Sequence, residues 1–168
     1  PINIGASITQ QYVTRVNDNG FADGDRIGVF IVNYENGKPQ ELSLTGNHAD
    51  NVMFTYNDAD GKWVGAYQLY WKDSKTPVDA YGYYPFNAEL SSVTAYPFEV
   101  QRNQNALVEK SNLTGYELSD FLWAKTENIM PTNNLLPLNH RHLMAGVQVT
   151  LVKGHGFGDG EWENLTKQ

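Results

Sequence analysis

In Val52-Met53-Phe54-Thr55-Tyr56-Asn57-Asp58-Ala59-Asp60-Gly61-Lys62-Trp63-Val64, the apolar residues Val52, Phe54 and Tyr56 recur at every second position before a run of turn formers. A period of two places alternate side chains on one face of a strand. Asp60-Gly61 then supplies a tight turn and Trp63 and Val64 begin the return, so the segment predicts a β-hairpin. The same Asp58-Ala59-Asp60-Gly61 resembles the centre of a calcium loop. Aligning Gly61 with that loop's fixed glycine, however, puts Tyr56 at the first ligand position and Tyr67 at the last, where acidic residues are required. The hairpin reading therefore stands.

The alternation extends in both directions. Downstream, Tyr67, Leu69 and Trp71 keep the period, Val78 to Phe86 carries Tyr81, Tyr83 and Tyr84, and Tyr96–Val100 and Phe121–Lys125 are shorter candidates. Longest of all is Leu143 to Leu151, with Leu143, Ala145, Val147, Val149 and Leu151 on one face; a helix would scatter them around its circumference. That strand is expected to be central. Upstream, the turn Asp23-Gly24-Asp25 launches Ile27–Val32, apolar on both faces as a central strand is, and Asn36-Gly37 and Lys38-Pro39 end it. At the start of the chain Ile2, Ile4, Ala6 and Ile8 alternate with Asn3, Gly5 and Ser7 and predict a first strand. With short strands, turns between them and no amphipathic helical pattern, the expected fold is an all-β antiparallel β-sandwich over residues 1–153, followed by a glycine-rich flexible linker, or the start of a second domain, over 154–168.

Composition bounds the function. The 168 residues suffice for one domain with a sizeable core, 40% are hydrophobic and only 18% charged. A net charge of -7 leaves no basic surface for phosphate backbones, so nucleic acid is not an expected partner. The absence of cysteine excludes thiol catalysis, thiolate metal sites and disulfides. Pro1 to Gln11 lacks the basic-then-apolar pattern of a signal peptide, so an exported form is expected to have lost its leader already.

Chemistry-bearing patterns are weak. His140 and His142, two apart, share one face of a strand as paired zinc ligands do, yet no third ligand is close in sequence, and half-buried structural roles fit them better. Gly154, Gly156, Gly158 and Gly160 do not have the spacing of a dinucleotide cradle, and no G-x-S-x-G elbow occurs. Tyr67, Tyr70, Trp71, Tyr81, Tyr83 and Tyr84 would make a stacking platform for sugars if exposed; strands of a sandwich need such residues in the core instead. No catalytic residue, no metal and no cofactor is expected, and the chain is read as a non-enzyme.

Taken in order, Thr14-Arg15, Phe21 before Gly24-Asp25-Arg26-Ile27-Gly28-Val29, the Tyr56–Trp63 hairpin, Tyr70-Trp71, Ala80-Tyr81 through Tyr84-Pro85, Tyr96-Pro97-Phe98 with Gln101, Asp120-Phe121-Leu122-Trp123-Ala124-Lys125 and His142-Leu143-Met144-Ala145 resemble the fimbrillin-like proteins of Bacteroides-type bacteria. These are subunits of type V pili and related surface proteins. The resemblance implies a transthyretin-like sandwich, a further sandwich domain beyond it, and export as a lipoprotein precursor to the cell surface, outer membrane or fimbrium. It also implies assembly by proteolysis-triggered strand exchange. An arginine-specific protease would cut after Arg15, the first strand bearing Ile2, Ile4, Ala6 and Ile8 would be removed, and another pilus subunit would fill the groove. The alternative is a carbohydrate-binding surface adhesin module that does not polymerise, with host or bacterial surface glycans or proteins as partners.

Overall fold

The structure is a computed structural model of the chain and describes residues 1–9, 20–96, 98–108 and 113–144. Eight strands are present among these: β1 (Asn3–Ile8), β2 (Arg26–Glu35), β3 (Lys38–Pro39), β4 (Ala49–Asn57), β5 (Lys62–Gly65), β6 (Val78–Tyr84), β7 (Leu122–Ile129) and β8 (Leu135–His142). A single-turn helix, α1 (Gly115–Leu118), precedes β7. The strands follow the order β1-β8-β7-β6-β2-β4-β5, with β3 paired to β2. The protein is all-β, and its sheet curls until the two ends meet. Ile2 forms a bridge to Leu69 just beyond β5, and the Trp63 Nε1–H of β5 donates to the Ala6 carbonyl of β1 at 3.2 Å.

The turns follow from local chemistry. Asn36 and Gly37 take φ of 52° and 76°, the left-handed pair of a two-residue hairpin turn, and Gly61 takes 65° in the turn between β4 and β5. Two ladders shift register, β2–β4 between Val29 and Ile31 and β6–β7 between Val78 and Ala80, and at each an asparagine holds positive φ, Asn51 on β4 and Asn128 on β7. Asparagine tolerates that conformation at a β-bulge because its short side chain bonds locally. The Asn51 side chain reaches across the sheet, its Oδ1 accepting the Tyr83 hydroxyl at 2.7 Å, and at the second bulge it is the Asn128 backbone N–H that donates, to Asp79 Oδ1 at 2.8 Å.

Inside the curl lies an aliphatic core. Ile27, Val29 and Ile31 of β2, Val52 and Phe54 of β4, Val78 and Ala80 of β6, Leu122 and Ala124 of β7, and Leu136 and Leu138 of β8 are buried in it, together with Ile2 and Ile4. The other face of β2, Phe30 and Val32, is buried too. Part of the reason is the segment between β6 and β7, whose Tyr96 and Phe98 form one cluster with Phe121 and, through Tyr96, with Tyr83. The two-faced apolar run of β2 is thus what a covered central strand requires.

Several expectations change. Tyr67, Leu69 and Trp71 do not form a strand: only Leu69 is bridged, and Tyr67 and Tyr70 are 57% and 63% exposed. Beyond β5 the backbone folds back tightly, with the Tyr67 carbonyl 2.9 Å from where a Gly65 Cβ would stand, so the period of two continues without a ladder. Tyr96–Val100 has aromatic packing in place of strand pairing, and β7 runs four residues further than Phe121–Lys125 indicated. The β1–β8 pairing is parallel, a departure from an antiparallel sandwich. The strand expected at Leu143–Leu151 lies from residue 145 onward outside the described residues, as does the boundary between 153 and 154. No helix among the described residues is long and apolar enough to cross a membrane.

Candidate functional site

β1 sits in a trough between two elements remote from it in sequence. Along one side it pairs with β8 from Asn3↔Leu135 to Ile8↔His140, and Thr9 N–H continues the seam to the His140 carbonyl at 2.7 Å. Along the other side the backbone bonds are few. The Ile2 N–H donates to Leu69 O at 2.8 Å, while the carbonyls of Ile2 and Ala6 accept from side chains, Gln68 Nε2 at 3.5 Å and Trp63 Nε1 at 3.2 Å. Ile2 and Ile4 are 2% and 3% exposed; Ala6 and Ile8 are partly buried against the same core. Burying two isoleucines is worth roughly 3–6 kcal/mol. Gly5 has a further constraint, because a Cβ there would stand 3.0 Å from the Leu135 Cβ. A larger residue there would need the exposed Leu135 side chain to give by a few tenths of an ångström.

The trough floor includes a polar oddity. His140 is fully buried, edge-on to Phe21 with ring centroids 5.4 Å apart, and its Nδ1–H donates to Leu138 O at 3.2 Å. Its Nε2 has no hydrogen-bonding partner and lies over Gly82 of β6, where an added Cβ would come within 2.8 Å of it. Burial depresses the imidazole pKa to about 4, with the Leu138 and Ser7 backbone contacts opposing only weakly. His140 and His142 do share one face of β8, as their spacing indicates, but their surroundings separate them. His142 turns its Nδ1 to Asp120 Oδ2 at 2.8 Å, and Asp120 is itself 1% exposed.

That His142–Asp120 pair is the arrangement closest to catalytic chemistry. The adjacent Ser119 hydroxyl is committed, donating to Gly115 O at 2.6 Å and accepting from Gln101 N at 2.9 Å and Gln104 Nε2 at 3.0 Å. It fastens α1 to the preceding segment. Nearby, Tyr84 donates to Asp25 Oδ1 at 3.2 Å, and the other carboxylate oxygen accepts the Ala22 N–H at 2.7 Å. Burial pushes Asp25 up despite those two bonds, and burial beside Asp25 pushes Tyr84 up as well. These contacts anchor the turn that starts β2.

Of the residues singled out in sequence, the structure brings Ile2, Ile4, Ala6 and Ile8 together in the trough; Arg15 lies outside the described residues. Two features escaped the sequence reading. One is β8 upstream of His140, whose alternation of Leu136 and Leu138 was legible. The other is α1, announced by Thr114 and Glu117 three apart, which form a capping box in which the Glu117 N–H donates to Thr114 Oγ1 at 3.3 Å and the Thr114 N–H donates back to Glu117 Oε2 at 2.7 Å.

A family model described as fimbrillin-like matches residues 14–167. The chain belongs to the fimbrillin-like family. β1 precedes the matched region, so the trough is matched while the strand in it is not. Two solved structures share this fimbrillin-like fold. A fimbrial protein from Bacteroides ovatus is 20% identical with a TM-score of 0.51, the match covering 84% of this chain and 28% of that one. A protein from the same organism assigned to cell adhesion is 15% identical with a TM-score of 0.50, covering 84% and 52% respectively. The chain thus spans about a quarter and about half of their lengths. No curated protein matches it.

Proposed function

We propose that the chain is part of a structural or adhesive subunit of a bacterial surface fimbria, and that β1 is an exchangeable strand. The observation that supports this most is the way β1 is seated: Ile2 and Ile4 fill an apolar trough whose walls belong to β8 and the Trp63–Leu69 segment, with a backbone ladder on only one side. Without β1, the trough offers unpaired β8 backbone groups and the apolar Leu136 and Leu138, which is what strand addition by a neighbouring subunit needs. In this reading Arg15 is the processing site, residues 1–153 form the sandwich, and 154–168 lead towards a further domain. The precursor is a lipoprotein delivered to the outer surface, its partners are other pilus subunits, and its role is not enzymatic.

Limited digestion of the native protein with an arginine-specific protease tests this. Cleavage is expected between Arg15 and Val16 in preference to Arg26, which opens β2, with β1 staying bound until a synthetic peptide of residues 1–9 displaces it. Resistance of Arg15 in the folded protein, or failure of the peptide to exchange after cleavage, would remove strand exchange from the reading.

A further inference from the structure

On the outer face of the sheet, four residues stand in one lateral row: Gly28 of β2 opposite Tyr83 of β6, Tyr83 opposite Trp123 of β7, and Trp123 opposite Arg141 of β8. The Tyr83 ring lies over Gly28, where an added Cβ would come within 2.1 Å of its Cε1. Its hydroxyl is tied to Asn51 Oδ1 at 2.7 Å and to the Asn87 N–H at 3.2 Å, which fixes the ring. Above the row, Tyr96 stacks on Phe121 with centroids 4.9 Å apart. Between row and cover is a cavity of about 290 Å³ lined by Phe30, Tyr83, Tyr96, Phe121, Trp123 and Arg141. That is close to the lower end of small-molecule sites and takes one ring system or a short acyl chain.

The wall is mainly apolar, its rings interleaved with Leu42, Leu90, Val93 and Leu143, and it carries one cation. Arg141 is exposed and its guanidinium has no hydrogen bond, ion pair or ring contact among the described residues, whereas Lys125, also on this face, is held by Glu127 at 2.6 Å and lies over the Tyr81 ring. Ser92, another lining residue, has its hydroxyl occupied by the N–H groups of Thr94 and Ala95. A neutral sugar, which needs several convergent free polar groups, is poorly served. A molecule with an apolar body and one anionic end is well served, because a guanidinium grips a carboxylate through two parallel N–H bonds.

We propose that this cavity binds a small amphiphilic carboxylate, an aryl or acyl acid, with its apolar body among the rings and its carboxylate on Arg141. The site faces away from the core that β1 fills, although Arg141 follows directly on His140, the last β8 residue paired with β1. Titration calorimetry of the full chain with phenylbutyrate tests it, with phenylbutyramide as the uncharged counterpart. Saturable binding is expected, with the amide about tenfold weaker, as loss of one exposed charge-assisted contact implies. Arg141→Gln should bring the acid down to the amide's affinity at an unchanged melting temperature, and Arg141→Lys should keep a preference for the acid. Absence of saturable binding, equal binding of acid and amide by the parent, an Arg141→Gln protein that still prefers the acid, or loss of that preference in Arg141→Lys would overturn the proposal.

Discussion

Strand β2 is laddered on both sides, to β4 between Arg26 and Ile31 and to β6 between Gly28 and Asn33, and every residue from Ile27 to Asn33 is buried. Strand β1 is laddered on one side, in parallel, and only Ile4 within it is fully buried, with Ile2 just ahead. Both use branched aliphatic side chains. The difference is in who owns the surroundings: the walls around β1 are built by β8, Trp63 and Leu69, which have other partners, whereas β4 and β6 are joined to each other through β2. Losing β2 cuts the sheet in two; losing β1 opens one end.

The largest test of that contrast is a buried charge in β2. Ile31 is 0% exposed, and Ile31→Asp should lower stability by more than about 5 kcal/mol, enough to abolish folding in a domain of ordinary stability. Circular dichroism should show the β signal gone. Placing charges in β1 should do less. Ile4→Asp combined with Ile8→Asp forfeits the burial of Ile2 and Ile4, roughly 3–6 kcal/mol, while the strands from β2 to β8 retain their ladders. The expected outcome is a retained β signal, a lowered melting temperature and free amide exchange at Asn3–Ile8. A double variant that melts like the parent would show that β1 contributes nothing to the core.

Acid should act on the same seam through His140. In the unfolded chain this imidazole takes its proton near its ordinary pKa of about 6.5. In the folded protein it does so only at about 4. Between those values the unfolded state binds more protons, so stability falls as pH drops through that window and levels off below it, a loss of at most about 3 kcal/mol. Asp25 acts in the opposite sense, since a raised carboxyl pKa makes the folded state the better proton binder in acid. The comparison is therefore with His140→Gln, which carries no charge in either state. Denaturant midpoints of the two proteins should converge or cross as pH falls from neutral to 4, and parallel curves would mean that His140 does not titrate with the fold.

What sequence made visible, and what it did not, follows the same physics. The hairpin turn at Asp60-Gly61, the end of β2 at Asn36-Gly37 and the strands β1, β2, β4 and β6 were legible because alternation and turn chemistry act locally, whereas Lys38-Pro39, read as part of that ending, returns as β3. Tyr67–Trp71 and Tyr96–Val100 carry strand-like composition without strand pairing, because a ladder needs a free neighbouring edge and none is declared locally. The parallel partnership of β1 with β8, 132 residues apart at Ser7 and Asn139, is likewise invisible in local pattern. Only a few trough residues were legible: Ile2, Ile4, Ala6 and Ile8 announce a strand, but Trp63, Leu69 and His140 become its walls solely through the curl of the sheet.

The smallest effect bears most directly on how loosely β1 is held. On the side away from β8, its Ala6 carbonyl is bonded by Trp63 Nε1–H at 3.2 Å, and the Trp63 ring also meets Phe21 edge-on at 4.9 Å and Tyr56 at 5.2 Å. Trp63→Phe keeps an aromatic ring for those two contacts and removes the donor. A single neutral hydrogen bond contributes about 1 kcal/mol net, and the Ala6 carbonyl, once released, sits at a partly open edge where water replaces the lost partner. The bond is absent both when β1 detaches and when the domain unfolds, so amide exchange should speed up about fivefold, the factor that corresponds to that energy, at Asn3–Ile8 and in β2 alike, with Asn3–Ile8 the faster in parent and variant. Exchange at Asn3–Ile8 as slow as in β2 would mean that the first strand opens only when the domain unfolds; unchanged exchange at Asn3–Ile8 would mean that the Trp63 bond does not hold it. Opening of β1 at a lower free energy than β2 is the result a removable strand requires.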